Sequence, residues 1–228
     1  TAGGNYSGAI VVFFFVLGLM LIKGPLRWWV LISSPLSIML AWGNNFPALS
    51  DFFLDPVPFY NNFRTVAMTL VIVCFNIPLM GFLVLNRIVK EPEMILKNRK
   101  QFLVAFGLTG GLSLLFFLFP GIFSFFTDRE QLVFNQQLQG ANAQYASQFR
   151  QFMNELEAAR IYLFRHDAIR SFILITIVFV LTWYFANKKL KLAWFLGILA
   201  VLVTLDLWLI DQRYLNTVSY THLRAHET

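Results

Sequence analysis

Between two long apolar runs lies the stretch GNNFPALSDFFLDPVPFYNNFR, residues 43–64, where acids, amides, aromatics and an arginine crowd together. Its chemically useful side chains are Asp51, Asp55, Tyr60, Asn61 and Arg64. An arginine fork takes a phosphate in two parallel hydrogen bonds, aromatic faces stack on sugar rings, and amides and carboxylates bond hydroxyls. These residue types therefore suit a phosphorylated lipid or a sugar. Arg64 leads, because it stands after Tyr60-Asn61-Asn62-Phe63 and just before an apolar run, where a lipid phosphate would sit. The competing reading is an interfacial arginine that snorkels to head groups in general. Asp51 reads equally as a cap or first-turn acid of a short surface helix, and Asp55, preceding Pro56, as a turn residue.

The elements that must position these groups are membrane spans. The chain is 57% hydrophobic and only 13% charged, and its apolar runs have the length that crosses a hydrocarbon core as helix. About six spans are expected, over residues 7–22, 28–42, 65–85, 101–119, 168–186 and 192–210. The fold class is therefore an all-α, polytopic membrane helix bundle with a lipid bilayer as its solvent. Pro78 is expected to kink the third span, and Asn76 beside it reads as part of that kink or as a polar group facing a cavity. Gly107-xxx-Gly111 offers a place where a second helix can approach closely. Residues 127–167 are rich in Gln and Asn, with Phe149, Phe152, Met153, Leu156 and Leu163 at helical spacing. They read as amphipathic helix against the membrane surface or capping the bundle, or as a solvated hairpin.

The net charge of +6 is read loop by loop in such a protein, so no nucleic-acid partner is expected. Lys23, Arg27, Arg87, Lys90, Lys97, Arg99, Lys100, Lys188, Lys189 and Lys191 all fall on one side of the six-span topology, and they include every lysine of the chain. By the positive-inside rule that side is cytoplasmic, which makes residues 43–64 and 127–167 extracytoplasmic. Arg160, Arg165, His166, Asp167 and Arg170 cluster where the second of these re-enters the membrane, either pairing with one another or facing the same phosphate. Walker-type, GxGxxG, paired CxxC and GxSxG motifs do not occur, so nucleotide hydrolysis, dinucleotide redox chemistry, structural zinc and an elbow-type hydrolase lack support. No cofactor and no metal are expected. His222 and His226 have ligand-like spacing, but VSYTHLRAHET, residues 218–228, looks like a translated sequencing adaptor and is set aside as a non-native tail.

Four stretches carry a family likeness: WGNNF, FFLDPVPFYNNFR, RIYLFRHDAIRS and LDLWLIDQRYLN. Together they resemble the YfhO-type family of bacterial integral membrane proteins, over essentially residues 8–216. That family is regarded as related to GT-C-type glycosyltransferases. The resemblance implies transfer of a sugar from a polyprenyl-phosphate donor to a cell-envelope glycan or glycolipid, outside the bacterial cytoplasmic membrane. It implies an inverting displacement, with a carboxylate activating the acceptor hydroxyl and cations stabilising the departing lipid phosphate. In such enzymes the carboxylate lies in the first extracytoplasmic loop, and this sequence resembles the C-terminal part of the membrane domain. Asp51 and Asp55 are therefore not assigned as catalyst, and Arg64 is the candidate for the phosphate. A lipid or polysaccharide transporter or flippase, and a non-catalytic scaffold of an envelope-synthesis complex, are the alternatives.

Overall fold

Hydrocarbon offers no partner to a backbone amide, so apolar runs of this length satisfy themselves as helices. The computed structural model describes residues 6–41, 69–139 and 143–214, and no strand occurs among the described residues. Helix α1 is Ala9–Leu21, α2 is Pro25–Ala41, α3 is Leu70–Lys90 and α4 is the short Glu93–Lys97. A rod follows, made of α5 (Arg99–Phe106), a π turn over Gly107–Gly111, and α6 (Leu112–Leu118). After a 3-10 turn at Pro120–Ile122 come α7 (Asp128–Gln139), α8 (Ala143–Ala186) and α9 (Leu192–Tyr214). Four segments, Leu70–Lys90, Arg99–Leu118, Gln144–Ala186 and Leu192–Gln212, are long and apolar enough to cross a membrane. The protein is an all-α membrane helix bundle. Helices α1 and α2, with 13 and 17 residues, extend about 20 and 25 Å, less than the ~30 Å hydrocarbon core.

The chain divides into two compact units. The first holds residues 1–109 and 174–228. Its centre is the contact of α1 with α3, where Phe13, Leu17, Met80, Val84 and Ile88 are completely buried. Gly18 makes that contact possible: a Cβ there would lie 2.9 Å from the Met80 carbonyl oxygen, nearer than carbon approaches oxygen. Without a hydrophobic drive between helices in lipid, such close backbone approach supplies the dispersion contact that holds them. Aromatic rings close the rest. Phe102 stacks on Phe179 with centroids 4.4 Å apart, and Phe185 on Phe195 at 4.3 Å.

The second unit, residues 110–173, is a helical hairpin with an aromatic seam. Phe123 and Phe125 pack edge-on against Phe164 at 5.5 and 5.6 Å, and Phe134 of α7 meets Phe149 of α8 at 5.9 Å. A capping box starts α7: Thr127 N–H donates to the Glu130 carboxylate at 2.9 Å, and Glu130 N–H donates to the Thr127 hydroxyl at 3.3 Å.

Two expectations change. The region 127–167 is not an element separate from the next span, because α8 runs unbroken from Ala143 to Ala186. Its sequence contains neither Gly nor Pro, and charges such as Arg160, Arg165 and Asp167 do not interrupt a helix. Gly107 and Gly111 do not mark a close helix contact either. Both have open space where a Cβ would stand, and they bound the π turn. Thermal unfolding in detergent separates the two kinds of glycine. Gly18→Ala is expected to lower stability by about 1–3 kcal/mol, whereas Gly107→Ala is expected to change it by less than about 0.5 kcal/mol.

Candidate functional site

Asp51, Asp55, Tyr60, Asn61 and Arg64 lie outside the described residues. The structure does describe what holds their segment at both flanks. Ser37, in the last turns of α2, donates its hydroxyl to the Thr69 carbonyl, and Thr69 returns its own hydroxyl to the Ser37 carbonyl at 3.2 Å. The chain that leaves after Ala41 and returns at Thr69 is thereby pinned where it departs and where it comes back.

About two turns further along α3 the polar contacts continue. The Asn76 amide donates to the hydroxyls of Ser33 and Ser34, each at 2.9 Å, and Asn76 is completely buried. Its Oδ1 is buried with no hydrogen-bond partner. An orphan acceptor of this kind costs about 1–3 kcal/mol. Pro78 and Pro35 stand within α3 and α2, so the carbonyls of Cys74 and Leu31 lose their usual intrahelical donors. Asn76 thus faces the serines of α2, and the polar seam lies near the prolines that both helices carry in their interiors.

A second polar cluster joins α9 to the start of α1. Asp206 is completely buried inside the apolar run LAVLVTLDLWLI. Tyr6 donates its hydroxyl to Asp206 Oδ1 at 2.8 Å, and the Ala9 N–H donates to Oδ2 at 2.7 Å. Gly8, the N-cap of α1, supplies no cap of its own and has φ 83°, so the carboxylate from α9 caps α1 in its place. Gly8 is required twice over: its backbone is left-handed, and a Cβ would stand 3.3 Å from Asp206 Oδ2. An acid alone in an apolar run was visible in the sequence as an anomaly. Its partners, some 200 residues away, had no local signal.

The cluster at the start of the apolar half of α8 has a structural use. Arg160 forks onto Glu130 at 2.8 and 3.1 Å, donates to the Phe125 carbonyl at 2.6 Å, and lies over the Phe126 ring. Arg165 donates through Nε to the Phe117 carbonyl at 3.1 Å and covers the Phe117 ring. His166 is exposed, with its ring 6.3 Å from that of Tyr162. Asp167 and Arg170 are half-buried, and neither lacks a partner. The fork of Arg160 and the Nε–H of Arg165 are therefore taken up by protein acceptors within the second unit.

No group of three or more His, Cys, Asp or Glu side chains able to hold a metal occurs among the described residues. Comparison of the chain with protein-family models, with curated proteins and with solved structures returned no match.

Two measurements test these assignments. Asp206→Ala removes the acceptor of the Tyr6 hydroxyl at 2.8 Å and of the Ala9 N–H at 2.7 Å, and is expected to lower stability in detergent by about 1–3 kcal/mol. Tyr6→Phe, which keeps the cap on Ala9, is expected to cost less. The Glu130 carboxyl is held down to about 2 from 4.5, first by the Arg160 hydrogen bond and then by Thr127 N–H. A carboxyl whose folded pKa lies below its unfolded value stabilises fully above that unfolded value, and the contribution is lost as pH falls through the folded one. Protection of the α7 amides, measured against their intrinsic exchange rates, is therefore expected to fall as pH drops from about 4.5 toward 2, more than in a Glu130→Gln variant that lacks this dependence.

Proposed function

We propose that this protein is part of a YfhO-type, GT-C-like membrane glycosyltransferase. It acts on a polyprenyl-phosphate-linked sugar and transfers that sugar to an envelope glycan or glycolipid on the extracytoplasmic side of the bacterial cytoplasmic membrane. The observation that carries the reading is the stretch FFLDPVPFYNNFR, which places a phosphate-binding arginine beside amides and aromatic rings directly before a membrane-spanning helix. Three features support it. The helix bundle supplies the bilayer setting that a polyprenyl donor needs. The Ser37–Thr69 pair holds both flanks of the stretch. The lysines of the described residues gather after α1, from the end of α3 to the start of α5, and between α8 and α9, as a one-sided topology requires.

In this reading Arg64 binds the lipid phosphate and stabilises its charge as the anomeric C–O bond breaks, Tyr60 stacks on the sugar, and Asn61, Asp51 and Asp55 bond hydroxyls. No carboxylate of the chain is assigned as the base. Asn76 favours a second reading, a lipid or polysaccharide flippase, because a buried amide with an unused acceptor beside a helix-breaking proline suits a polar path through the bundle.

The test is turnover of a polyprenyl-phosphate sugar by the full-length protein in native membranes. Arg64→Ala is expected to lower kcat/KM by about 100-fold or more, and Arg64→Lys to recover part of it as a point charge without the fork. Normal product from both variants at normal expression removes Arg64 from the phosphate site. Sugar-lipid movement across proteoliposomes without transfer, abolished by Asn76→Ala, establishes the flippase instead.

A further inference from the structure

The lysine-bearing end of the first unit contains a depression of about 640 Å³. Lys23, Arg87, Lys90, Lys97 and Lys188 line it, with two carboxylates, Glu91 and Glu93, among them, so cations outnumber acids. Leu21 and Met94 are buried beneath, so its base is apolar.

The charges in this depression do not cancel. Lys188 binds Glu93 at 2.8 Å, and the pair holds the Glu93 carboxyl below its ordinary value, through the Lys188 hydrogen bond first, while raising Lys188. Lys23, Arg87, Lys90 and Lys97 are exposed; Lys97 adds to the pull on Glu93, and no ion pair within 4 Å joins any of the four to an acid among the described residues. Like charges brought this close repel unless an anion sits among them.

The backbone places one of these cations at a cost. The α8–α9 turn closes α8 with hydrogen bonds from Lys188 N–H to Phe185 and from Lys189 N–H to Tyr184. In that cap the left-handed position ordinarily belongs to glycine. Here Lys188 occupies it, with φ 59°, a conformation that costs a non-glycine residue roughly 1–2 kcal/mol.

The depth of the site selects its ligand. Trp28 and Trp29, in the first turn of α2, and Trp194, in the first turn of α9, are 63%, 57% and 66% exposed. Exposed tryptophans at the ends of apolar helices mark the head-group layer. The cationic depression opens where α1 and α3 end, beside α4 and the turn between α8 and α9, and these tryptophans stand at the starts of the helices that follow α1 and that turn.

We propose that this depression binds the phosphate head group of an anionic phospholipid. The proposal is independent of the glycosyltransferase reading, since it uses no residue of the 43–64 stretch. Lys23, Arg87, Lys90 and Lys97 surround the phosphodiester, and the acyl chains lie along the apolar flanks of the helices.

The experiment uses the full chain in nanodiscs that contain phosphatidylcholine and phosphatidylglycerol in equal amounts, with native mass spectrometry counting the lipids that stay bound. The wild-type chain is expected to retain phosphatidylglycerol about tenfold over phosphatidylcholine, and the Lys90→Gln, Lys97→Gln double variant to fall to within about twofold of parity. The Lys189→Gln, Lys191→Gln double variant makes the same charge change at the same end but outside the depression, and is expected to keep the preference. Glu93→Gln removes a carboxylate from the rim and frees Lys188, and is expected to raise the preference about twofold or more, a gain that misfolding does not produce. Equal losses in the two double variants, or no gain with Glu93→Gln, overturn the proposal in favour of general surface charge. Displacement of the retained lipid by millimolar inorganic phosphate overturns it in favour of a soluble phosphate.

Discussion

Inside a bilayer a polar group has no water to return to, and this constraint accounts for most of the specific contacts in the protein. Thr109, Thr182 and Thr204 turn their hydroxyls back to carbonyls four residues earlier in their own helices. Asp206 and the opening amides of α1 satisfy one another across the first unit. The Ser33, Ser34 and Asn76 contacts tie α2 to α3 near the two prolines. Only Asn76 Oδ1 is left over in that seam, an orphan acceptor that burial makes costly.

The second constraint is steric. Apolar side chains prefer hydrocarbon and protein almost equally, so helices join where backbones come close enough for dispersion to decide. Gly18 against Met80 is that place. Many large side chains consequently remain outward, among them Phe82 at 71% exposure and Phe75 at 63%, surfaces that are ordinary when the surroundings are lipid.

Helix existence was legible in the sequence, because the length and apolarity of the runs are local properties. The continuity of α8 was not, since the change from polar to apolar composition near Ala168 resembles a boundary although nothing there breaks the backbone. Gly107-xxx-Gly111 had the spacing of a contact motif, yet Gly18, which lacks such spacing, makes the contact. Spacing describes one helix, whereas packing is decided by what the partner presents. For the candidate site, the residue types of the 43–64 stretch and the solitary Asp206 were legible. The Ser37–Thr69 clasp and the Tyr6–Asp206–Ala9 bridge were not, because they join residues far apart in the chain. The arginines near Arg160 looked free for a ligand only while Glu130 and the carbonyls they bind were out of view.

The trans cap of α1 by Asp206 also bears on how the bundle is made. During synthesis α1 emerges well before α9, so its first amide waits without a strong acceptor, while Asp206 later enters the membrane within an apolar helix as an unmatched acid. An acid at the centre of a spanning helix costs the insertion machinery about 2.5–3.5 kcal/mol. The deficits on the two helices are relieved in a single event, when α9 docks beside α1. That docking closes a ring between the first and last described helices of the unit, so the two polar groups are satisfied together or not at all.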